Sequence, residues 1–368
     1  MTAIRAPRPT LLIYNAEDNC CFRAPLVKPY IFDQVQLFFS LYGSSDSFQW
    51  HENRDPGSHN YQLDNRLQAY RFFVKHFHLP AIDDEIPADA EIKSYDELVV
   101  GLPRDNLTAL SLARILARRI KRDSVPSSAA ARKEWVVTQR GKLKATIRCD
   151  SAKVKHAWAM TNTEEKGVET RSYRFGLSNG LSATGVWVRA ITSPDRAPTT
   201  VVVNDEGKRR GAAEVSDRVN RGDQVLAIDL LFTGDSSPED QPQPLSQRQY
   251  LMQLLATVGD RALGLEVAQL IAITQWLRQV TETPRVRLDC TGIRSQTVAL
   301  IASALEPTLF SEVLVHRGLR SLDYLLEKPV SQLVAPDLFC LDLYKEFDLD
   351  RMIAFAEPTR VTQQNDLE

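Results

Sequence analysis

The chain has 368 residues, of which 43% are hydrophobic and 25% are charged, and its formal net charge at pH 7 is −2. This is a globular composition, long enough for two hydrophobic cores or one large core. The small net charge provides no field that would gather nucleic acid or an anionic membrane, and no apolar run reaches the roughly 18 residues of a membrane span. Five cysteines without metal-ligand spacing predict buried or unreactive thiols, so neither a metal nor a cofactor is expected.

The first 80 residues place an Asp after one apolar run and a His in a later turn. TLLIYN (10–15) predicts a short buried strand, and Asp18 lies in the polar loop that follows it. A second strand is predicted at 35–42, and His59 lies in the polar loop after it, within Gly-Ser-His-Asn. Apolar residues at helical spacing then predict a helix over 64–77. This order is typical of the closing half of a doubly wound sheet, whose polar loops at strand ends hold the site.

The middle of the chain has the composition of a boundary. Residues 80–95 are acidic and contain proline, and residues 124–133 are rich in small residues, as in a linker. Between them, residues 107–121 predict an amphipathic helix with a basic, solvated face.

Strands and helices alternate over the rest of the chain. Four segments between 142 and 190 predict antiparallel strands, and residues 208–210 (KRR) predict a solvated turn. Further strands and helices are predicted in alternation near 199–205, 212–222, 224–234, 262–280, 286–291, 297–306 and 311–318. Such alternation indicates a parallel α/β sheet with right-handed crossovers. We therefore predict an α/β fold with a doubly wound, mostly parallel sheet. A partial first unit is predicted at 1–82, and a linker that contains the amphipathic helix at 83–134. A near-complete second unit is predicted at 135–368.

The order acid loop, His loop and terminal helix is also the closing order of the α/β-hydrolase fold, in which the nucleophile comes earlier. The sequence resembles the acetyl xylan esterase and prolyl-oligopeptidase-like group of bacterial α/β hydrolases, in particular its long two-unit members. The segments that carry the resemblance are APRPTLLIYNAEDNCCF, DPGSHNYQLDNR, DELVVGLPRDN, VVVNDEGK, LAIDLLFTGD, GLEVAQLIA and PDLFCLDLYKEFDLD. The resemblance implies ester hydrolysis on acylated carbohydrate, with Asp18 as the acid of a catalytic triad and His59 as its base.

The nucleophile of such a triad is not found where the resemblance places it. A Gly-x-Ser-x-Gly frame set on Gly292 puts Arg294 at the nucleophile and Gln296 at the final Gly. A guanidinium stays protonated and cannot attack a carbonyl, and a side chain at position 296 should crowd the turn. Ser295 is offset by one residue, a rotation of about 100° on a helix. The elbow at Gly292, Arg294 and Ser295 is therefore predicted to be degenerate, and His316 to be structural.

Three functional hypotheses follow. In the first, the chain is the C-terminal part of a serine-type carbohydrate esterase that holds Asp18 and His59, lacks the N-terminal half of its hydrolase unit with the nucleophile, and is inactive alone. In the second, 135–368 is a non-catalytic module that binds glycan or braces a catalytic unit. In the third, the chain is a circularly permuted hydrolase, with strand 11–15 beside the strand ending at 316–318. Related proteins are typically exported, but the N-terminal residues show no signal-peptide pattern, so the compartment stays open.

Overall fold

The computed structural model describes residues 2–81, 83–237, 244–328 and 335–366. The chain divides into an N-terminal unit, Met1–Arg104, and a C-terminal unit, Asp105–Glu368. The predicted linker is shared between the two units, and the three-part organisation with boundaries at 82 and 134 stays a prediction. Within the described ranges, no helix combines the length and the apolar character that crossing a bilayer requires.

The N-terminal unit is built on two parallel strands. Its elements are β1 (Thr10–Asn15), α1 (Ala24–Leu41), β2 (Phe48–Asn53), α2 (Leu63–Phe77) and the short α3 (Tyr95–Leu98). The two strands pair in register from Thr10 opposite Phe48 to Asn15 opposite Asn53. Phe39 of α1 is fully buried and stacks on Phe48 with ring centroids 4.7 Å apart, which packs the helix on the strand pair. Because the strands are parallel, the loops after β1 and β2 leave the sheet at the same edge.

The strand predicted at 35–42 is wrong. These residues continue α1, which starts with Pro25 in its first turn, a position where the missing N–H of proline costs nothing. A short apolar run fits a buried strand and a buried helix segment equally well, and here the helix is formed. The second strand is instead β2, whose sequence FQWHEN is mostly polar and ends in three polar residues, so it gave no apolar run.

The C-terminal unit contains one eight-stranded sheet in the order β10-β9-β8-β6-β7-β5-β4-β3. β7, β6, β8, β9 and β10 are parallel neighbours, while β3, β4 and β5 pair antiparallel, with β5 also antiparallel to β7. The strands are β3 (Val154–Glu165), β4 (Val168–Leu177), β5 (Ser182–Ala190), β6 (Thr199–Asn204), β7 (Gln224–Asp229), β8 (Val286–Thr291), β9 (Phe310–Gly318) and β10 (Arg360–Asp366).

Helices occupy both faces of this sheet. The helices of the described part of the C-terminal unit are α4 (Ala109–Arg118), α5 (Ala129–Thr146), α6 (Ala212–Asn220), α7 (Pro244–Val258), α8 (Ala262–Val280), α9 (Ile293–Leu305), α10 (Tyr324–Glu327), α11 (Leu343–Glu346) and α12 (Leu349–Phe355). On β6, Val202 packs with Val215 of α6, whereas its neighbours Val201 and Val203 join the main core with α8 and α9. Successive strand residues point to opposite faces, so the predicted doubly wound α/β fold is confirmed. The strand predicted at 142–149 is wrong, because α5 runs to Thr146.

The helices behind the sheet pack closely. α9 packs against α8, α12, β8 and β9, and nearly all of its side chains are buried. Gly264 of α8 lies so near the end of α5 that a Cβ there would clash with the backbone oxygen of Ile147. Glycine at this position therefore allows α8 to approach the end of α5 closely.

The strand pairing argues against a circularly permuted hydrolase. That arrangement places 11–15 beside the strand that ends in His316, Arg317 and Gly318. β9 has β8 on one edge and β10 on the other, in register from Arg360 opposite Glu312. The strand position next to β9 is therefore filled from within the C-terminal unit.

Candidate functional site

Asp18 and His59 meet at the edge where β1 and β2 end. Asp18 follows β1 by three residues and His59 follows β2 by six. The His59 Nδ1 lies 3.0 Å from Asp18 Oδ2 and 3.3 Å from Oδ1. The carboxylate side chain is 7% exposed and the imidazole 53%. The nearly buried Asp18 carboxylate thus binds Nδ1 of His59, and Nε2 of the same ring remains available to a reacting group.

Backbone groups fix the Asp18 carboxylate. Its Oδ1 accepts hydrogen bonds from the N–H of Cys20 at 2.8 Å and of Cys21 at 2.7 Å. The N–H of Cys21 contributes most to a pKa of Asp18 far below its ordinary range, with the N–H of Cys20 and His59 adding to it and burial opposing it. Asp18 is therefore ionised at every physiological pH and can stabilise a protonated imidazole.

Four asparagines hold the two loops together. Asn60 Nδ2 donates to Asn15 Oδ1 at 3.2 Å and to Asn53 Oδ1 at 3.1 Å, and Asn65 Nδ2 donates to Asn15 Oδ1 at 2.9 Å. Asn15 and Asn53 end their strands opposite each other, and Asn60 directly follows His59. This network was not predicted from the sequence, although the asparagine at the end of each strand was a visible signal of it. The amides place the His59 loop against β1 and so position the imidazole on Asp18.

The segment from β8 to α9 is a strand–turn–helix. Gly292 makes the turn with φ +102°, and a Cβ there would clash with the carboxylate of Asp205. Asp205, in the loop after β6, accepts hydrogen bonds from the N–H of Arg294 at 3.1 Å and of Ser295 at 2.6 Å. A carboxylate therefore occupies the N-terminus of α9, where helix N–H groups attract an anion.

The Arg294 side chain points into a buried group of acids. It is 5% exposed, its Nε donates to Asp337 Oδ2, and its Nη2 lies 3.5 Å from Glu266 Oε1. Burial raises the pKa of Glu266 well above its ordinary value, and the nearby charge of Asp337 adds to the shift. Burial also raises the pKa of Asp205. Arg294 is thus the cation that holds several sheltered acids together, a role that its sequence position did not indicate.

Ser295 and Gln296 also serve the fold. Ser295 is 7% exposed and its N–H is bound to Asp205. Gln296 binds the backbone of Leu319 twice, donating from Nε2 to its carbonyl at 2.8 Å and accepting its N–H on Oε1 at 2.6 Å. The expectation that a side chain at 296 crowds the turn is wrong, because Gly318 leaves room for it: a Cβ at 318 would lie 2.8 Å from Gln296 Cδ.

The basic cluster at 208–210 was predicted to be a solvated turn, and for Lys208 this is wrong. Its Nζ lies 2.5 Å from Asp229 Oδ2 and 2.5 Å from Asp235 Oδ2, and it donates to Thr184 Oγ1 at 3.0 Å. The side chains of Lys208 and Asp229 are 8% and 1% exposed. Arg209, by contrast, is 85% exposed, so adjacent basic residues have opposite environments.

His316 lies on β9 beside β8. Its Nε2 is 2.9 Å from Asp289 Oδ1, and Arg218 Nε is 3.2 Å from the other carboxylate oxygen. Interaction with Asp289 raises the pKa of His316, and burial opposes the shift. The imidazolium is therefore stabilised in the folded state.

Replacing His316 with Gln should destabilise the chain in a pH-dependent way. A histidine whose folded pKa is raised stabilises the fold fully below its unfolded value of about 6.5, and this contribution is lost as the pH rises through the folded pKa. We expect His316→Gln to lower the free energy of unfolding by about 1–2 kcal/mol at acidic pH, with the difference shrinking in alkaline buffer. Urea unfolding of both proteins across the pH range measures this difference in the free energy of unfolding. If the difference were the same at every pH, the ion pair of His316 with Asp289 would be contradicted.

Comparison with known proteins identifies the fold. No family model and no curated protein sequence matches the chain. A Bacteroides fragilis protein provisionally named an acetyl xylan esterase matches with a TM-score of 0.57 at 12% identity, over 72% of this chain and 77% of that one. The chain has the α/β-hydrolase fold. Acetyl xylan esterase from Paenibacillus sp. R4 (12% identity, 69% and 94% of the chains) and acetyl xylan esterase 1 from Thermoanaerobacterium sp. JW/SL YS485 (11%, 69% and 93%) match with a TM-score of 0.42 each.

The turn at Gly292 lies where the sequence predicts a nucleophile elbow, and the assignment of Arg294 to the nucleophile position stays a prediction. Arg294 is buried and, as a guanidinium, cannot act as a nucleophile. The N–H of the next residue, Ser295, is already bound to Asp205. An elbow with these contacts is not expected to catalyse acyl transfer.

Proposed function

We propose that the N-terminal unit carries the acid and the base of a serine-type ester hydrolase acting on acylated carbohydrate, and that the C-terminal unit is non-catalytic. The observation that carries the proposal is the contact of 3.0 Å between His59 Nδ1 and a carboxylate that two backbone N–H groups hold in place. The substrate class rests on the names of the solved structures that share the fold, several of which are acetyl xylan esterases.

The proposed chemistry follows the roles of an Asp–His pair. His59 Nε2 takes the proton from a serine hydroxyl as its oxygen attacks the ester carbonyl, and the imidazolium then gives that proton to the departing sugar oxygen. Asp18 remains ionised, holds the proton of the neutral ring on Nδ1 and stabilises the imidazolium. A water molecule repeats the sequence to release the acid from the acyl-serine.

The attacking serine is proposed to come from a segment other than the described residues of the N-terminal unit. Among those residues, Asp18 is the hydrogen-bond partner of His59, and no hydroxyl is bound to its ring. The elbow of the C-terminal unit has Arg294 at the nucleophile position. The chain by itself should therefore be inactive, although its proposed acid, Asp18, and its proposed base, His59, are in hydrogen-bonding contact.

The acid–base arrangement is tested by the tautomer of His59. Because Asp18 accepts the Nδ1 proton, we expect neutral His59 to be predominantly the Nδ1–H form, and Asp18→Asn to lose this preference. Nitrogen NMR shifts of the imidazole measure the tautomer directly. His156 is exposed on β3 and offers an internal reference that the substitution should leave unchanged. A predominantly Nε2–H form in the unsubstituted chain would refute the base role.

The absence of a nucleophile is tested by hydrolysis of p-nitrophenyl acetate. We expect the chain to hydrolyse this ester no faster than the Asp18→Ala/His59→Ala variant. A clearly higher rate for the unsubstituted chain would show that it holds a nucleophile. That result would overturn the proposal that the serine comes from another segment. A variant with His156→Ala controls for the loss of one exposed imidazole, which can itself react slowly with activated esters.

A second candidate function is favoured by the buried elbow. Because Arg294, Ser295 and Gln296 are all committed to structural contacts, the C-terminal unit fits a non-catalytic module that binds glycan or braces a catalytic unit. Retention of the full chain on insoluble xylan would support glycan binding. A chain that is not retained would contradict glycan binding and favour the role of bracing a catalytic unit.

A further inference from the structure

Two thiols lie beside the His59 ring. The ligand atoms of Cys20, Cys21 and His59 are all within 4.8 Å of one another, and all three residues are exposed. The Sγ atoms of the two cysteines are 3.6 Å apart. The sequence has no short metal-ligand spacing and so predicted no metal, but His59 comes from a loop 38 residues after Cys21.

The separation of the sulfurs fits a shared metal ion. In a tetrahedral zinc site each Zn–S bond is about 2.3 Å, so two sulfurs on one ion are about 3.8 Å apart. The sulfurs of Cys20 and Cys21 are already near this distance. Little movement is needed for both thiolates to bind one cation, which limits the entropy lost on binding.

One carboxylate orients all three groups. Asp18 Oδ1 accepts the backbone N–H groups of Cys20 and Cys21, which fixes the chain from which the thiols project. Asp18 Oδ2 lies 3.0 Å from His59 Nδ1, so Nε2 is the nitrogen left for a ligand. A carboxylate on the non-ligating nitrogen is the usual support of a metal-bound histidine, because it fixes the tautomer and makes the ring more basic.

We propose that Cys20, Cys21 and His59 bind a zinc ion, with Asp18 as the carboxylate that supports the histidine. Two thiolates and an imidazole form a set that selects zinc over magnesium or calcium, which prefer oxygen ligands. The two thiolate charges balance the charge of the ion. Three protein ligands leave a fourth position for water or a small anion.

The thiols have no role in the proposed ester hydrolysis, but His59 belongs to both sites, so zinc binding would compete with that proposed function. His59 Nε2 cannot accept a proton while it binds the ion. Zinc would therefore hold the proposed base in an inactive state, and removal of zinc would release it.

The test is a titration of the full, reduced chain with Co²⁺, whose spectrum reports its ligands, followed by displacement with Zn²⁺. We expect one Co²⁺ per chain, an ultraviolet thiolate-to-metal band and visible bands of tetrahedral intensity. Cys20→Ser, Cys21→Ser and His59→Ala should each abolish or strongly weaken this signal. Asp18→Asn, which keeps all three ligands, should weaken binding about 10–100-fold.

The controls separate this site from other thiols and from the hydrolase proposal. Cys340→Ser removes a half-buried thiol outside the cluster and should leave the titration unchanged. No thiolate band, or a band that persists in Cys20→Ser/Cys21→Ser, would overturn the zinc site. The tautomer of His59 in metal-free chain is measured separately, so a failed titration and a failed base assignment are distinguishable.

Discussion

Replacing Arg294 with methionine should lower the free energy of unfolding by about 3–5 kcal/mol. The methionine fills much of the same space, but Asp337 and Glu266, which are 3% and 2% exposed, lose their cation. The charge of Arg248 still acts on both acids, but the guanidinium that contacts them is gone, and removing one partner is the costly way to break a buried ion pair. Urea unfolding followed by circular dichroism measures the loss.

Matched variants show whether the destabilisation of Arg294→Met comes from the lost charge or from the changed shape of the side chain. Arg294→Lys keeps the charge but not the planar fork that reaches both acids, so its loss should be intermediate. The triple variant Arg294→Met/Glu266→Gln/Asp337→Asn removes the uncompensated charges and should recover part of the stability. A triple variant less stable than Arg294→Met would contradict the electrostatic account. Arg294→Ser should not create an esterase, because the Ser295 N–H remains bound to Asp205.

Replacing Lys208 with methionine should cost about 3 kcal/mol. Asp229 lies at the end of β7 with 1% of its side chain exposed and depends on Lys208 Nζ for its countercharge. The backbone N–H groups of Lys208 and Asp235 still donate to it, at 2.6 Å and 2.9 Å, which places the loss at the lower end of the range for buried pairs. Thermal or urea unfolding gives the difference.

The neighbouring residue is the natural control for this variant. Arg209→Met removes a basic side chain that is 85% exposed, and its effect should stay within about 0.5 kcal/mol. Lys208→Met/Asp229→Asn should be less destabilised than Lys208→Met alone, because the orphaned charge is gone. Equal losses of unfolding free energy for Lys208→Met and Arg209→Met would show that the ion pair of Lys208 with Asp229 contributes nothing to stability.

The two candidate sites differ in their exposure to solvent. In the N-terminal unit, the Asp18 carboxylate and the half-exposed His59 imidazole are in hydrogen-bonding contact. In the C-terminal unit, the predicted elbow holds a buried arginine that contacts buried acids. This difference supports the proposal that the first arrangement can react and that the second only stabilises the fold.

The fold class and several elements were predictable from local patterns. β1 was expected at 10–15 and α8 at 262–280, and both are formed with these bounds. β6 and β7 each contain a short apolar run, and all six residues of each strand are buried, so the hydrophobic pattern alone indicated a parallel sheet. The assignment failed at 35–42, where a short apolar run fitted either structure and only packing of Phe39 on Phe48 selects the helix.

The candidate sites divide in the same way. The order of Asp18, His59 and Arg294 along the chain was enough to suggest an acid, a base and a lost nucleophile, because side-chain chemistry and loop position are properties of local sequence. The partners of these residues could not be foreseen. Arg294 contacts Glu266 of α8, Asp337 of a short 3-10 helix later in the chain and Asp205 in the loop after β6. Cys20 and Cys21 lie close to His59 of a different loop. The residues brought together are 28 to 89 positions apart, since Glu266 precedes Arg294 by 28 and Asp205 precedes it by 89. No periodic pattern links positions so distant, and only the packing of strands and helices brings them within reach.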